Sequence, residues 1–205
     1  MIYEIRTYGI TVGSLAEVEK RFGEAYEHRK KYSELAAFWH TEIGPLNEII
    51  HVWPYRDLAE RTRVRSEAVK DPNWPPKIAE FIRTQHSEIL VPLPFSPLLT
   101  PGKLGPIFEM RIYNMRAGAL AGMTKAWEAK LPARLRLSPL AVAGHVDLGE
   151  ANRFIHIWAY TSMQHRAEIR ARAVELGVWP PGGGAERLLT QANKIIVPSA
   201  FSPLQ

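Results

Sequence analysis

The sequence of this chain repeats itself once, and no other feature restricts its fold as strongly. Sliding the sequence by 105 positions, and by 106 after one extra residue near the glycines at 182–184, brings many identical residues into register. The matched segments are 2–8 with 107–113, 51–53 with 156–158, 74–76 with 179–181, and 95–98 with 201–204. The chain is therefore predicted to contain two copies of one folding unit.

The stretch between the copies is rich in proline and glycine, which is typical of a linker. We predict a first unit at residues 1–99, a linker at 100–106 and a second unit at 107–205. A linker this short spans at most about 27 Å when extended, because each residue contributes about 3.3–3.6 Å. The two units are therefore expected to lie side by side.

Hydrophobic periodicity predicts the elements of one unit. A capping box at Ser14 and Glu17 indicates where the first helix begins, and Asp57 with Glu60 indicates where the second begins. The predicted elements are a strand at 2–9, a helix at 14–31, strands at 36–43 and 47–55, a helix from 58 to 70, a short helix near 77–86 and a strand at 88–94. This β-α-β-β-α-β order is the ferredoxin-like plan of an α+β fold.

A ferredoxin-like unit covers one face of its sheet with helices and leaves the other face bare. A second copy can cover that bare face. We therefore expect the two repeats to pack sheet to sheet as an α/β barrel within one chain, with the helices outside. This pseudo-dimer is compatible with further assembly into a homo-oligomer.

Composition excludes several classes of protein. The chain has no cysteine, so it has no disulfide scaffold, thiol nucleophile or Cys-ligated metal site. The net charge of +5 is scattered over the second half without a basic run, so no nucleic-acid partner is expected. Prolines interrupt the most apolar stretch, so no membrane partner is expected, and the lack of a leader-like segment favours a cytoplasmic location. No metal-binding helix motif and no cofactor fingerprint is present.

Strand alternation divides the residues of each strand into an aliphatic set and a polar, aromatic set. Because helices pack well on aliphatic faces, we expect the polar set to point into the barrel between the two sheets. These candidate ligand-binding residues are Glu4, Arg6, Tyr8, His40, Glu42, His51, Trp53 and Tyr55 in the first repeat, and Glu109, Arg111, Tyr113, His145, Asp147, His156, Trp158 and Tyr160 in the second.

Three interpretations of this polar set stay open. Aromatic side chains with a few convergent polar groups are typical of a small-molecule pocket. The same groups could satisfy one another as a structural network that joins the two halves. A catalytic site is the third interpretation, with His51 or His156 as the candidate general base or axial ligand of haem.

Other repeated residues have simpler interpretations. Arg61 and Arg65 lie four residues apart on one helix, which is typical of a solvated helix face and also suits an anion site. The Trp-Pro-Pro segments at 74–76 and 179–181 are expected to be structural loops. The segments at 95–98 and 201–204 are expected to latch each repeat onto its neighbour.

The sequence resembles the NIPSNAP family. The resemblance is carried by Tyr-Glu-Ile-Arg-Thr-Tyr at 3–8, by the strand at 47–55 with His-Val-Trp at 51–53, by the run at 55–61 and by Phe-Ser-Pro-Leu at 95–98. It implies the dimeric α/β-barrel superfamily, in which single-repeat members pair to form the barrel.

The resemblance leaves the activity undefined. Superfamily relatives include cofactor-independent monooxygenases, isomerases and haem-binding proteins, so an enzyme is one alternative to a small-molecule-binding protein. A protein-interaction scaffold is another. The second repeat has Ala143 and Gly144 where the first has Phe38 and Trp39, so equal ligand binding by the two halves is not expected.

Overall fold

The computed structural model describes all residues from 1 to 205. The first repeat contains β1 (Ile2–Ile10), α1 (Leu15–Arg29), β2 (Ala37–Ile43), β3 (Glu48–Tyr55), α2 (Leu58–Ala68) and β4 (Ile82–Pro92). The second contains β5 (Ile107–Met115), α3 (Leu120–Leu135), β6 (Leu140–Leu148), β7 (Arg153–Tyr160), α4 (Met163–Glu175), a short α5 (Gly184–Arg187) and β8 (Leu188–Pro198). The predicted β-α-β-β-α-β order is confirmed in both repeats.

The predicted short helix at 77–86 is wrong. Only one 3₁₀ turn forms there, at Ala79–Phe81, and β4 begins directly after it. The residues expected to be helical instead pair along β1, where Thr84 lies opposite Gly9 and Gln85 lies opposite Tyr8. Pairing with a long central strand outweighs the weak local preference of the segment.

The helix starts are only partly as predicted. Asp57 accepts a hydrogen bond from the Glu60 amide at 2.8 Å and caps α2. Ser14 makes no such cap, because its hydroxyl donates to the Thr11 carbonyl oxygen at 2.6 Å. None of the helices combines the length and the apolar composition that crossing a bilayer requires.

The eight strands form one closed antiparallel barrel in the order β1-β3-β2-β8-β5-β7-β6-β4. Two seams join the repeats: β2 pairs with β8, and β4 pairs with β6. Without these seams, each four-stranded sheet would expose two edge strands with unpaired backbone N–H and C=O groups. The seams pair the edge strands of one sheet with those of the other. The predicted barrel of two ferredoxin-like repeats is confirmed.

Close-packed apolar side chains from all eight strands fill the barrel interior. Tyr3 and Ile5 project inward from β1, and the rings of Trp39 and Phe108 meet across the repeats with centroids 5.4 Å apart. An eight-stranded barrel is just wide enough for its own side chains. The interior is therefore a hydrophobic core that joins the two halves.

The expectation that the polar set faces this interior is wrong. Arg6, His51 and their polar neighbours lie on the outer face of the sheet, beneath the helices. The division of each strand into a polar set and an aliphatic set is as predicted, but the aliphatic set faces the interior and the polar set faces the helices. The physical reason is that both sheets contribute aliphatic residues to the narrow interior, whereas α2 carries arginines that pair with the buried carboxylate.

The segment that follows the last strand of each repeat packs on the other repeat, as predicted. The Phe201 ring lies 4.7 Å from the Phe38 ring, centroid to centroid, within the helix-covered core of the first repeat. The Ser202 hydroxyl accepts a hydrogen bond from the Phe38 amide at 2.9 Å. Ser96 does the same for the Ala143 amide at 2.9 Å.

Candidate functional site

Neighbouring strands bring the polar residues of the first repeat together. In the antiparallel register of β1 and β3, Glu4 lies opposite Trp53, and Arg6 lies opposite His51. All four side chains therefore share one face of the sheet, with Tyr8 and Tyr55 at the adjacent positions. Helices α1 and α2 cover this face and complete the site.

Glu4 is the buried anion of the site. Its carboxylate is fully buried and accepts hydrogen bonds from Arg6 at 2.9 Å, Arg61 at 2.6 Å and Ser87 at 2.8 Å, while Arg65 lies 3.5 Å away. Burial alone would raise the pKa of Glu4, but the Arg61 hydrogen bond and the charges of Arg65 and Arg6 lower this pKa to about 2. Glu4 is therefore ionised at neutral pH.

Of the two interpretations of Arg61 and Arg65, the structure supports the anion site, and the anion is Glu4, while the Arg65 side chain is also 42% exposed to solvent. Both guanidinium groups point from α2 toward the sheet and pair with Glu4. Buried charges persist when they are paired and hydrogen bonded. The four-residue spacing of these arginines allows both to reach the same carboxylate.

Arg29 of α1 forms the opposite wall of the site. Its guanidinium donates to the Ser33 hydroxyl at 2.8 Å and to the Tyr55 hydroxyl at 3.1 Å. It also lies over the Trp53 ring, 4.5 Å from the centroid, and 5.7 Å from the Trp74 centroid. None of these partners carries a negative charge.

A cavity of about 320 Å³ lies between the sheet and the helices of the first repeat. Its polar wall contains three arginines and no carboxylate, and its apolar wall comes from α1, the Trp-Pro-Pro loop and the turn before β4. The principal lining residues are Arg6, Tyr8, Phe22, Arg29, His51, Trp53, Tyr55, Arg65, Trp74, Ile78, Ile82 and Gln85. The arrangement can enclose a small organic molecule.

The tautomer of His51 follows from its neighbour Trp53. Trp53 Nε1 can only donate, and it lies 2.7 Å from His51 Nδ1, so Nδ1 is the acceptor. Burial, together with the nearby Arg6 charge, lowers the pKa of His51 well below its usual value, so the ring is neutral. The one ring proton therefore lies on Nε2, which is buried without a hydrogen-bond partner.

This tautomer bears on the two catalytic roles expected for the histidines. A general base or an axial haem ligand needs a free lone pair on Nε2, and here that atom carries the proton. His156 has the same arrangement, because Trp158 Nε1 donates to its Nδ1 at 2.8 Å. The donor set therefore does not fit haem ligation through either histidine.

The second repeat reproduces the polar cluster. Glu109 accepts from Arg111 at 2.7 Å and from Arg166 at 2.6 Å, and Arg134 donates to Tyr160 at 3.2 Å. Burial would raise the pKa of Glu109, but the Arg166 hydrogen bond and the Arg111 charge lower it. Both halves thus surround one buried carboxylate with the same set of arginines.

One aromatic substitution distinguishes the two repeats. Trp127 occupies the α3 position that corresponds to Phe22 in α1. Its ring lies 4.7 Å from both His156 and Trp179, centroid to centroid, whereas Phe22 lies 5.0 Å from His51 and 5.7 Å from Trp74. The larger indole therefore fills space beside the histidine that the first repeat leaves to its cavity.

Several predicted site residues lie away from the cavity. His40 bonds to Glu19 of α1 at 2.8 Å, and Glu42 and Asp147 are exposed near strand ends. His145 is half-buried on β6. Sequence alternation correctly grouped these residues with the polar face of the sheet, but their positions along β2 and β6 keep them outside the cluster.

Arg29, Phe22 and Trp74 are site residues that the sequence interpretation missed. A signal for Arg29 was present, because an arginine recurs at the equivalent position 134 on the buried stripe of the helix. An arginine retained on an otherwise apolar helix face indicates a buried partner. The Trp-Pro-Pro loop, interpreted as structural, also lines the cavity.

Comparisons with known proteins agree with this architecture. The family model described as NIPSNAP matches residues 3–97 and 108–203. Human protein NipSnap homolog 3B is 30% identical over 213 residues, which cover 99% of this chain and 85% of that protein. The Drosophila melanogaster protein NipSnap is 24% identical, over 100% of this chain and 79% of that protein.

A solved structure from Fusobacterium nucleatum, described as a "Putative monooxygenase", has a TM-score of 0.67 over 96% of this chain and 91% of its own. Its sequence identity is 6%, so the likeness concerns the fold alone. The anthrone oxidase-like protein shares the fold at a TM-score of 0.56 and 12% identity, over 97% of this chain and 91% of its own. The barrel is thus an architecture that sequences of very low identity to this chain also form.

Proposed function

The chain belongs to the NIPSNAP family, and from that premise we propose that its first repeat binds a small organic molecule in the cavity beneath α1 and α2. The observation that carries this proposal is a cavity of about 320 Å³ whose wall combines three arginines and no carboxylate with aromatic and aliphatic side chains. Such a lining offers hydrogen-bond donors and apolar surface to the same bound molecule.

The size and lining of the cavity also support binding. Small-molecule pockets have volumes of roughly 300–1,000 Å³ and combine apolar walls with a few polar groups. Phe22, Trp74 and Ile78 supply apolar surface here, and Arg6 and Arg65 supply donors. The proposed site lies beneath the helices and not in the barrel interior, because the side chains of the barrel strands fill that interior.

Binding is favoured over turnover by the histidine tautomer. The neighbours described as oxidases and monooxygenases share only the fold with this chain. A proton-abstraction step would need a base in the cavity, and the hydrogen bond from Trp53 occupies the one ring lone pair of the neutral His51. The proposal therefore assigns the cavity to binding.

The test uses a fragment panel and two matched variants. Ligand-observed NMR is run with neutral, cationic and anionic aromatic fragments on the wild type, on Phe22→Trp and on Trp127→Phe. Phe22→Trp fills the cavity with the residue that the second repeat already accommodates, and Trp127→Phe makes the reverse change in the other repeat.

We expect at least one fragment to bind the wild type and Trp127→Phe, and to lose binding to a folded Phe22→Trp variant. Circular dichroism and thermal unfolding establish that each variant is folded. Binding that survives in Phe22→Trp would place the ligand elsewhere. A wild type that binds no fragment would also refute the proposal.

A further inference from the structure

The positive charge at the cavity exceeds the negative charge available to balance it. Three guanidinium groups, those of Arg6, Arg61 and Arg65, share the single carboxylate of Glu4, and a fourth, that of Arg29, has no carboxylate partner. Three of these arginines line the cavity, and no Asp or Glu does. The cluster therefore carries an excess of cations beside an enclosed space.

The hydrogen-bond partners of the arginines do not remove this excess. Arg29 is 2% exposed and bonds only to the neutral groups of Ser33 and Tyr55. Arg6 divides its donors between Glu4 and the Tyr8 hydroxyl, at 2.9 and 2.6 Å. A buried cation without a counter-charge is costly, so the site favours an additional anion.

The remaining walls determine what the anion is attached to. Phe22, Trp74 and Ile78 present ring edges and aliphatic surface, with the Phe22 and Trp74 rings in a T-shaped arrangement at 5.7 Å. Such surfaces bind flat aromatic bodies well, because edge-to-face contacts add to the burial of apolar area. The cationic and the apolar surfaces thus suit different parts of one ligand.

We infer that the ligand is a small aromatic anion, whose head group is held by the cavity arginines Arg6, Arg29 and Arg65 while its ring packs against Phe22 and Trp74. This inference rests on the binding role proposed above. Guanidinium groups hold carboxylates and phosphates by charge-assisted, often bidentate hydrogen bonds.

Isothermal titration calorimetry with three probes tests the inference. Phenylacetate and phenylacetamide have the same shape and differ in charge, and phenyl phosphate distinguishes a phosphate head group from a carboxylate. We expect phenylacetate or phenyl phosphate to bind at least about tenfold more tightly than the amide, since hydrogen bonds to charged groups are worth roughly 1.5–3 kcal/mol.

The matched variants are Arg65→Gln and Arg170→Gln. Arg65 is partly exposed and lies 3.5 Å from Glu4, and Arg170 is its counterpart in the second repeat, at 3.8 Å from Glu109. We expect Arg65→Gln to weaken binding of the anion about tenfold and to leave binding of the amide unchanged, whereas Arg170→Gln changes neither.

The possible failures separate the two proposals. Equal binding of phenylacetate and phenylacetamide, or binding of neutral fragments alone, would overturn the anionic head group and leave the binding role intact. Failure of every probe and every fragment to bind the wild type would overturn both. An equal loss of anion binding in Arg65→Gln and Arg170→Gln would overturn the assignment to the first repeat.

Discussion

Reversing one charge at a barrel seam should destabilise the protein, and reversing its partner as well should restore stability. Lys194 on β8 pairs with Glu48 at 2.5 Å across one seam, and Arg153 pairs with Glu88 on β4 at 2.5 Å across the other. Repeat alignment makes Glu48 equivalent to Arg153, and Glu88 equivalent to Lys194. Equivalent positions therefore carry opposite charges at the two seams, with Glu48 and Lys194 at one and Arg153 and Glu88 at the other.

This reversal affects which repeats can pair. A barrel built from two first repeats would place Glu48 beside Glu88 at both seams. A barrel built from two second repeats would place Arg153 beside Lys194. Only the pairing of a first repeat with a second repeat matches the charges at both seams, since like charges in contact cost free energy.

The magnitude follows from burial. The side chains of Lys194 and Glu48 are 9% and 19% exposed, so the pair is intermediate between a surface pair and a fully buried one. A surface pair is worth about 0.2–1 kcal/mol, and breaking a buried pair costs about 3–5 kcal/mol. Lys194→Glu breaks the pair and adds repulsion from Glu48. We expect the free energy of unfolding to fall by about 2–4 kcal/mol, and Glu48→Lys in the same chain to recover most of that loss.

Urea unfolding of the wild type, both single variants and the double variant gives the coupling energy directly. Lys70→Glu is the control, because Lys70 and Glu67 form an exposed pair within one helical turn, and this change should cost less than about 0.5 kcal/mol. A Lys194→Glu variant as stable as the control, or a double variant no more stable than the single, would refute the reasoning.

Three further outcomes follow from single contacts. The pKa of Glu4 is lowered from 4.5 to about 2, so its ionisation contributes about 3 kcal/mol of stability above pH 4.5, and this contribution is lost as the pH falls toward 2. Glu4→Gln should flatten this part of the plot of unfolding free energy against pH, measured by urea unfolding. An unchanged slope would contradict the role of Glu4. The hydrogen bond that His40 donates to the Glu19 carboxylate raises the pKa of His40, so its stabilisation is complete below about pH 6.5 and is lost as the pH rises through the raised value. Thermal midpoints of His40→Gln should decline less over that range than those of the wild type, and parallel declines would argue against this pair. Phe201→Ala should lower the free energy of unfolding by about 2 kcal/mol in urea, because the half-buried ring packs on Phe38, and a loss below about 0.5 kcal/mol would show that the latch contributes little.

Much of the fold was predictable because the relevant signals are local and occur twice. The repeat, the strands at 36–43 and 47–55 and the cap at Asp57 were each confirmed within one or two residues. The helix predicted at 77–86 failed because its residues pair with β1, which lies more than 70 positions away in the sequence. A short segment with weak preferences takes the conformation that its distant partner requires.

The candidate site was only half predictable, for a related reason. The period of two along β1 and β3 places Arg6 and His51 on the same face, and this follows from strand geometry alone. The same period does not identify which face the helices cover. That choice depends on whether Arg29 and Arg65, on separate helices, can reach the polar face.

The amino-acid sequence by itself determined the duplication, the order of elements and the division of each strand into two faces, because these follow from identity and periodicity along the chain. The tertiary structure decided that the aliphatic faces meet inside the barrel and that the polar faces lie beneath the helices. It also decided that Phe22 leaves a cavity where Trp127 fills the equivalent space. The physical reason is that burial free energy and charge pairing belong to residues far apart in the sequence, and only closure of the barrel brings those residues into contact.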